Sequence, residues 1–181
     1  IKEIHKDIHK IIEDYKIGEK IRDGFRVSIT GEVNAGKSSL LNLIAKRDVA
    51  IVSSEAGTTR DIIETYLNID GYPVILADTA GIRDAKNEVE KKGISLALGQ
   101  SKEADLNIVV IDNSSKSINN EIKKMINKDT IVLLNKSDVQ EKQNHKFNAD
   151  TVLASVKENK NIDSLIKKIK EKLSKKFTSN N

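Results

Sequence analysis

The chain has 181 residues, with 31 basic and 27 acidic side chains and a formal net charge of +4. It contains no cysteine, which excludes disulfide staples and thiolate metal sites in this stretch. No apolar run approaches the roughly 20 residues of a membrane-spanning helix and no leader-like start is visible, so a reducing, cytoplasmic setting is expected.

Residues 1–22 place Ile1, Ile4, Ile8, Ile11, Ile12 and Tyr15 at helical spacing, one apolar stripe that needs a surface to cover it. Gly18 and Gly24 punctuate the chain before the next element. Phe25–Thr30 reads as a short strand, and Leu40–Ile44 as part of a helix. Between them lies Gly31-Glu32-Val33-Asn34-Ala35-Gly36-Lys37-Ser38, a match to G-x-x-x-x-G-K-[ST]. Glycines in such a loop allow a tight turn whose backbone N–H groups face a phosphate, assisted by the helix N-terminus. Lys37 is expected on the β- and γ-phosphates and the Ser38 hydroxyl on Mg²⁺. Asn34, Ala35, Gly36 and Ser39 are candidate contacts beside them.

Further along, Asp61–Asn68 and Pro73–Ala77 flank Asp70-Gly71, a strong hairpin signal. The apolar run Val74–Ala77 leads into Asp78-Thr79-Ala80-Gly81. A carboxylate at that strand end suits Mg²⁺ held through water, and Gly81 lets its N–H approach a γ-phosphate. Glu88–Gln100 reads as a helix, Leu106–Ile111 as a strand and Ile118–Ile126 as a helix. Thr130–Leu134 is a buried strand that ends in Asn135-Lys136-Ser137-Asp138. The Asp138 carboxylate offers two acceptors to guanine's ring N–H and exocyclic amine, whereas adenine would leave it without a partner. Thr151–Ala154 is a short strand, Ile162–Leu173 an amphipathic helix, and 177–181 an expected disordered tail. The predicted architecture is α/β: a P-loop NTPase G domain with a mostly parallel six-stranded sheet and helices on both faces.

Three motifs in order predict a guanine-nucleotide hydrolase. Two features bear on how it would work. The residue after Gly81 is Ile82, where many small GTPases place a glutamine that orients the attacking water. The segment between the first helix and the hairpin holds Gly57-Thr58-Thr59-Arg60-Asp61, with Thr59 as candidate second Mg²⁺ ligand.

Gly31–Leu41, Gly57–Asp61 and Asp78–Arg83 resemble the bacterial TrmE–Era–EngA group of translational GTPases. The acidic segment Asp84–Ile94, with V-E-x-x-G-I at its end, is similar to the tRNA-modification branch of that group; the resemblance covers roughly residues 25–175. It implies that Asn34 helps bind K⁺, with backbone carbonyls of Ser53 and Glu55 completing the site and Thr58 nearby. Ser54, Ala56, Gly57 and Thr59 then belong to the same nucleotide-contacting loop, which reads S-S-E-A where T-D-I-A is more usual. It implies that Glu90 is the catalytic glutamate, orienting water indirectly. Ser155, Val156 and Lys157 match the guanine loop, with Val156 where alanine is usual. K⁺ would take the place of an arginine finger and would order a loop through which two G domains dimerise; Arg60 and Arg83 are expected in salt bridges, with an arginine finger as their alternative role. Whole members of the branch act on the tRNA wobble uridine, installing a carboxymethylaminomethyl group with an FAD-dependent partner. Residues 1–22 are then expected to be an arm of an adjoining helical domain, and 23–176 the GTP-binding domain. No direct nucleic-acid site is identified, the lysines reading as solvated helix faces. Two alternatives stay open: a ribosome-assembly GTPase, and a nucleotide-gated interaction module with little hydrolysis. Ile82 favours the latter; Glu90 and Asn34 argue against it.

Overall fold

The computed structural model describes residues 20, 22–47, 63–69, 71–78, 101–139 and 145–178. Six strands form one sheet in the order β2-β3-β1-β4-β5-β6. They are β1 (Phe25–Gly31), β2 (Ile63–Ile69), β3 (Tyr72–Asp78), β4 (Leu106–Asp112), β5 (Ile131–Asn135) and β6 (Asp150–Leu153). All neighbours run parallel except β2, which pairs antiparallel with β3 at the edge. The hairpin turn is closed by the Gly71 amide, which donates to Asn68 Oδ1 at 2.7 Å. The helices with both ends among the described residues are α1 (Lys37–Arg47), α2 (Asn120–Met125) and α3 (Ile162–Thr178).

Period-two alternation along the central strands feeds two cores. In β4 and β5, Ile108, Val110, Ile131 and Leu133 face one side with Leu40 and Ile44 of α1 and Leu165 and Ile169 of α3. Their neighbours Val109, Ile111, Val132 and Leu134 face the other side with Ile118 and with Ile122 and Met125 of α2. Helices therefore cover both faces, as expected of buried parallel strands. Leu133, Leu165 and Ile169 are fully buried; truncating any one to Ala would cost about 2–5 kcal/mol.

Several boundaries move, each for a local reason. The helix expected from Ile118 begins at Asn120, because Asn119 caps it by accepting from the Glu121 amide. The strand expected from Thr130 begins at Ile131; the Thr130 hydroxyl closes the preceding turn on the Met125 carbonyl oxygen instead. The last helix does not stop at Leu173 but runs to Thr178. Phe177 and Thr178 are thus helical rather than part of a disordered tail; Lys175 and Lys176 sit in that last turn, where positive charge favours helix continuation. Residues 20, 22 and 23 are helical, and the Gly24 amide donates to the Lys20 carbonyl oxygen. The whole apolar stripe from Ile1 to Tyr15 and the helix expected over Glu88–Gln100 lie outside the described residues.

Candidate nucleotide site

Parallel strands deliver their C-terminal ends to one edge of the sheet, where α/β folds bind ligands. β1 ends at Gly31, β3 at Asp78, β5 at Asn135 and β6 at Leu153. Register fixes two of these ends against each other, since Ile29 of β1 pairs with Asp78 of β3.

The loop from Gly31 to Gly36 turns on backbone conformations that few residues adopt. Gly36 has φ +101°, and a Cβ there would overlap Asn135 Nδ2. Gly31 has φ +146°, and a Cβ would run into the Val110 carbonyl oxygen. Both positions exclude a side chain on space as well as on torsion. Asn34, exposed at the loop's tip, has φ +60°, a region asparagine tolerates better than most residues. Ala35 is fully buried. Lys37 Nζ donates to the Glu32 carbonyl oxygen at 2.6 Å, folding the side chain back over its own loop. Ser38 and Ser39 are exposed in the first turn of α1.

Asn135 joins this loop to the second motif. Its Nδ2 donates to the Ala35 carbonyl oxygen at 2.8 Å, and its Oδ1 accepts from the Val156 amide at 3.0 Å. One buried side chain therefore links Ala35, β5 and the loop after β6. Lys136 adopts φ +63° and pairs with Asp112 at 2.5 Å. Burial alone would raise the Asp112 carboxyl, but hydrogen bonds from Lys136 and Ser114 outweigh it and hold the group below the usual carboxylate range. The Ser137 amide donates to the Ala154 carbonyl oxygen, and the Ser137 hydroxyl is a buried polar atom without a hydrogen-bond partner. Asp138 Oδ1 accepts from the Ser155 hydroxyl at 2.6 Å. That bond is the main reason the Asp138 carboxyl sits below its usual range, with the positive charges of Lys157 and Lys136 adding to it. The Ser155 hydroxyl oxygen in turn accepts from the Glu158 amide at 3.1 Å.

The fold thus brings Asn34, Ala35, Gly36, Lys37, Ser38, Ser39, Asn135, Lys136, Ser137, Asp138, Ser155, Val156 and Lys157 to one edge, with Asp78 at the end of β3. Ser53, Ser54, Glu55, Ala56, Gly57, Thr58, Thr59, Thr79, Ala80, Gly81 and Glu90 lie outside the described residues, as do Arg60, Ile82 and Arg83. Sequence reasoning missed Asp112, which holds Lys136, and Asn113, which is buried and donates its amide to the Asn135 carbonyl oxygen at 2.9 Å. Their signal was available: an Asp-Asn pair at the C-terminal end of a buried parallel strand.

Such an edge, with a glycine-turned loop before a helix and a carboxylate corner at the end of β5, defines a P-loop GTPase. The family model for 50S ribosome-binding GTPases matches residues 26–136. The chain belongs to that family, binds guanine nucleotides and hydrolyses GTP. It is 56% identical over 140 residues to the tRNA modification GTPase MnmE of Pelagibacter ubique (strain HTCC1062), a match covering 77% of this chain and 32% of that protein. With the protein of the same name from Rickettsia bellii (strain OSU 85-389) it shares 44% over 171 residues, 91% of this chain and 38% of that one. The chain therefore spans about a third of the length of the curated relatives it matches. Among solved structures it is similar to a variant of Aquifex aeolicus Era bound to GDP and AlF4⁻, with TM-score 0.56 and 28% identity, over 81% of this chain and 56% of that one. The G domain of the T. maritima FeoB iron transporter shares the fold, with TM-score 0.60 and 24% identity over 82% of this chain and 98% of that one.

Proposed function

We propose that this domain hydrolyses GTP in a K⁺-dependent way when two copies pair through their nucleotide faces. It does so within a cytoplasmic protein that modifies the tRNA wobble uridine with an FAD-dependent partner. The observation that carries the nucleotide part is the double bond-making of Asn135, which fastens the phosphate loop to the corner that holds Asp138. In that corner the Asp138 carboxylate, held in place by the Ser155 hydroxyl, accepts the two guanine donors. Ser137, Val156 and Lys157 border the base. The tRNA part rests on the two relatives named tRNA modification GTPase.

The residues fit the ions that the reading needs. Mg²⁺ takes oxygen ligands and is commonly held by one or two carboxylates together with substrate phosphates. The exposed Ser38 hydroxyl begins α1, and register places Asp78 at the end of the strand beside β1; Thr59 is the proposed further ligand. For K⁺, the exposed amide of Asn34 stands at the loop tip, with Ser53, Glu55 and Thr58 as proposed companions. When bound, these cations neutralise charge that develops on the phosphates. Lys37 must leave the Glu32 carbonyl to reach a β- or γ-phosphate oxygen. Gly36 and Ser39 offer backbone N–H groups, the Ala35 amide must, like Lys37, first leave the Glu32 carbonyl oxygen, and Thr79, Ala80 and Gly81 are proposed on the γ-phosphate side. Glu90 orients the attacking water, since Ile82 has no polar group to do so.

The test is GTP turnover in K⁺ against Na⁺ at rising protein concentration. Turnover should climb with concentration in K⁺ and stay slow and flat in Na⁺. Asn34→Ala should lose the K⁺ response with nucleotide still bound, and Glu90→Ala should cut kcat while leaving affinity nearly intact. Equal, concentration-independent rates in both salts would refute the reading.

A further inference from the structure

At the carboxyl ends of β4 and β5 the register sets Asp112 beside Asn135, the residue before Lys136. The Asn113 amide donates to the Asn135 carbonyl oxygen at 2.9 Å and carries the pairing one residue further. Lys136 then leaves β5 with φ +63°, and its ammonium donates to Asp112 Oδ2 at 2.5 Å. The other oxygen, Asp112 Oδ1, accepts from the Ser114 amide at 2.9 Å and from the Ser114 hydroxyl at 2.6 Å. Asp112 is therefore fixed by its own loop as well as by the lysine.

Asp138 stands two residues after Lys136 in the same turn, which the Val139 amide closes on the Lys136 carbonyl oxygen at 3.1 Å. Its Oδ1 takes the Ser155 hydroxyl. Among the described residues no ammonium is ion-paired with it. The Lys136 charge is still near enough to help hold the Asp138 carboxyl low. One ammonium thus has two carboxylates around it, and it sits on Asp112. A lysine stem is flexible and its three donors have no fixed direction, so the choice of carboxylate is set by what surrounds it. We propose that Asp112 is a positioning residue for base selection: it draws the Lys136 ammonium away from Asp138 and keeps that carboxylate open to guanine. The inference rests on the reading of Asp138 as the base-selecting group. Without the Asp112 charge the ammonium turns to Asp138, and guanine's ring N–H and exocyclic amine must displace it. The loss then falls on recognition of the base, not on the phosphates.

Inosine triphosphate measures this directly, because its base lacks the exocyclic amine and so forfeits one charge-assisted hydrogen bond to the carboxylate. The experiment titrates GTP and inosine triphosphate and reads the ratio of affinities, with a melt of each variant. The parent should prefer GTP by at least about tenfold. Asp112→Asn keeps an acceptor for Ser114 but removes the charge that holds Lys136. It should bind GTP about tenfold more weakly, with its preference reduced to about threefold or less. Asp112→Glu retains the charge and should retain the preference. The deciding variant is Asp112→Asn/Lys136→Met, which removes the competing ammonium too. Its preference should return to the parental ratio although its affinities stay low. A merely structural Asp112 would leave the double variant as unselective as the single one. If Asp112→Asn does not fold, Lys136→Met alone decides: its ratio must match the parent's, and a fallen ratio overturns the proposal. The proposal is also overturned if Asp112→Asn keeps the parental ratio, or if adding Lys136→Met fails to restore it. Loss of preference in Asp138→Asn with none in Asp112→Asn removes this proposal and leaves the base-selecting role of Asp138 standing. A parent without preference for GTP over inosine triphosphate removes both.

Discussion

The two ends of the nucleotide edge differ in how far they are prepared for a ligand. At the β5–β6 corner, Asp138 is already held by Ser155, Lys136 by Asp112, and the loop by Asn135. At the phosphate loop the main cation is turned inward, with Lys37 on the Glu32 carbonyl oxygen. Under the proposed reading, base choice is preorganised, whereas phosphate binding must first exchange an internal hydrogen bond for an external one. The difference follows from chemistry: a carboxylate bonded to a neighbouring hydroxyl is held in one place, whereas an ammonium on a flexible four-carbon stem turns to whichever acceptor is near.

The largest effect should come from the prepared corner. Asp138→Asn converts one acceptor into a donor that meets guanine's donors. GTP affinity should fall by about 10³-fold or more, with preference moving to xanthine nucleotides. A nucleotide titration showing unchanged GTP affinity would take Asp138 out of the role. Next comes the unprepared end. Lys37→Ala should weaken GTP by about 10²-fold through the lost charge-assisted contact, yet leave the ratio of GTP to xanthosine triphosphate affinity unchanged. A shifted ratio would show that the two ends are not separable.

Asn135→Ala attacks the joint itself. It leaves the Ala35 carbonyl and the Val156 amide without partners in a buried setting, at about 1–3 kcal/mol for each stranded group. A Tm fall of several degrees, together with roughly tenfold weaker GTP binding, is the expected result in a melt and a titration. A melt that does not move would show the bridge to be dispensable.

The smallest effect tests the preparation. Ser155→Ala removes the hydrogen bond that holds the Asp138 carboxyl low. With a depressed folded value, the ionised group contributes above the ordinary carboxylate range and is lost only as pH falls through the depressed value. At neutral pH the carboxyl is ionised with or without Ser155, so the variant should bind GTP only about three- to fivefold more weakly there, through the lost hydrogen bond that positions the carboxylate. Its acid limb should shift upward, because its carboxyl protonates sooner. A superimposable pH profile would mean that Ser155 does not tune Asp138.

The sequence by itself determined the order of strands and helices and the place of all three motifs. Those signals are local: alternation in β4 and β5, a two-residue turn at Asp70-Gly71, and spaced glycines and a lysine before a helix. It missed where elements end, because Asn119 and Thr130 spend their side chains on caps and turns that propensity does not see. Tertiary structure alone decided that Asn135 fastens two motifs 100 residues apart in sequence, since a side-chain amide reveals its partners only when strands are in register. It alone separated the lysines of α3 as well. Spacing along a helix shows which lysines share a face, but not that Asp150 lies under Lys168 and Lys172. Local pattern is written residue by residue, whereas the meeting of distant side chains depends on the packing of every element between them.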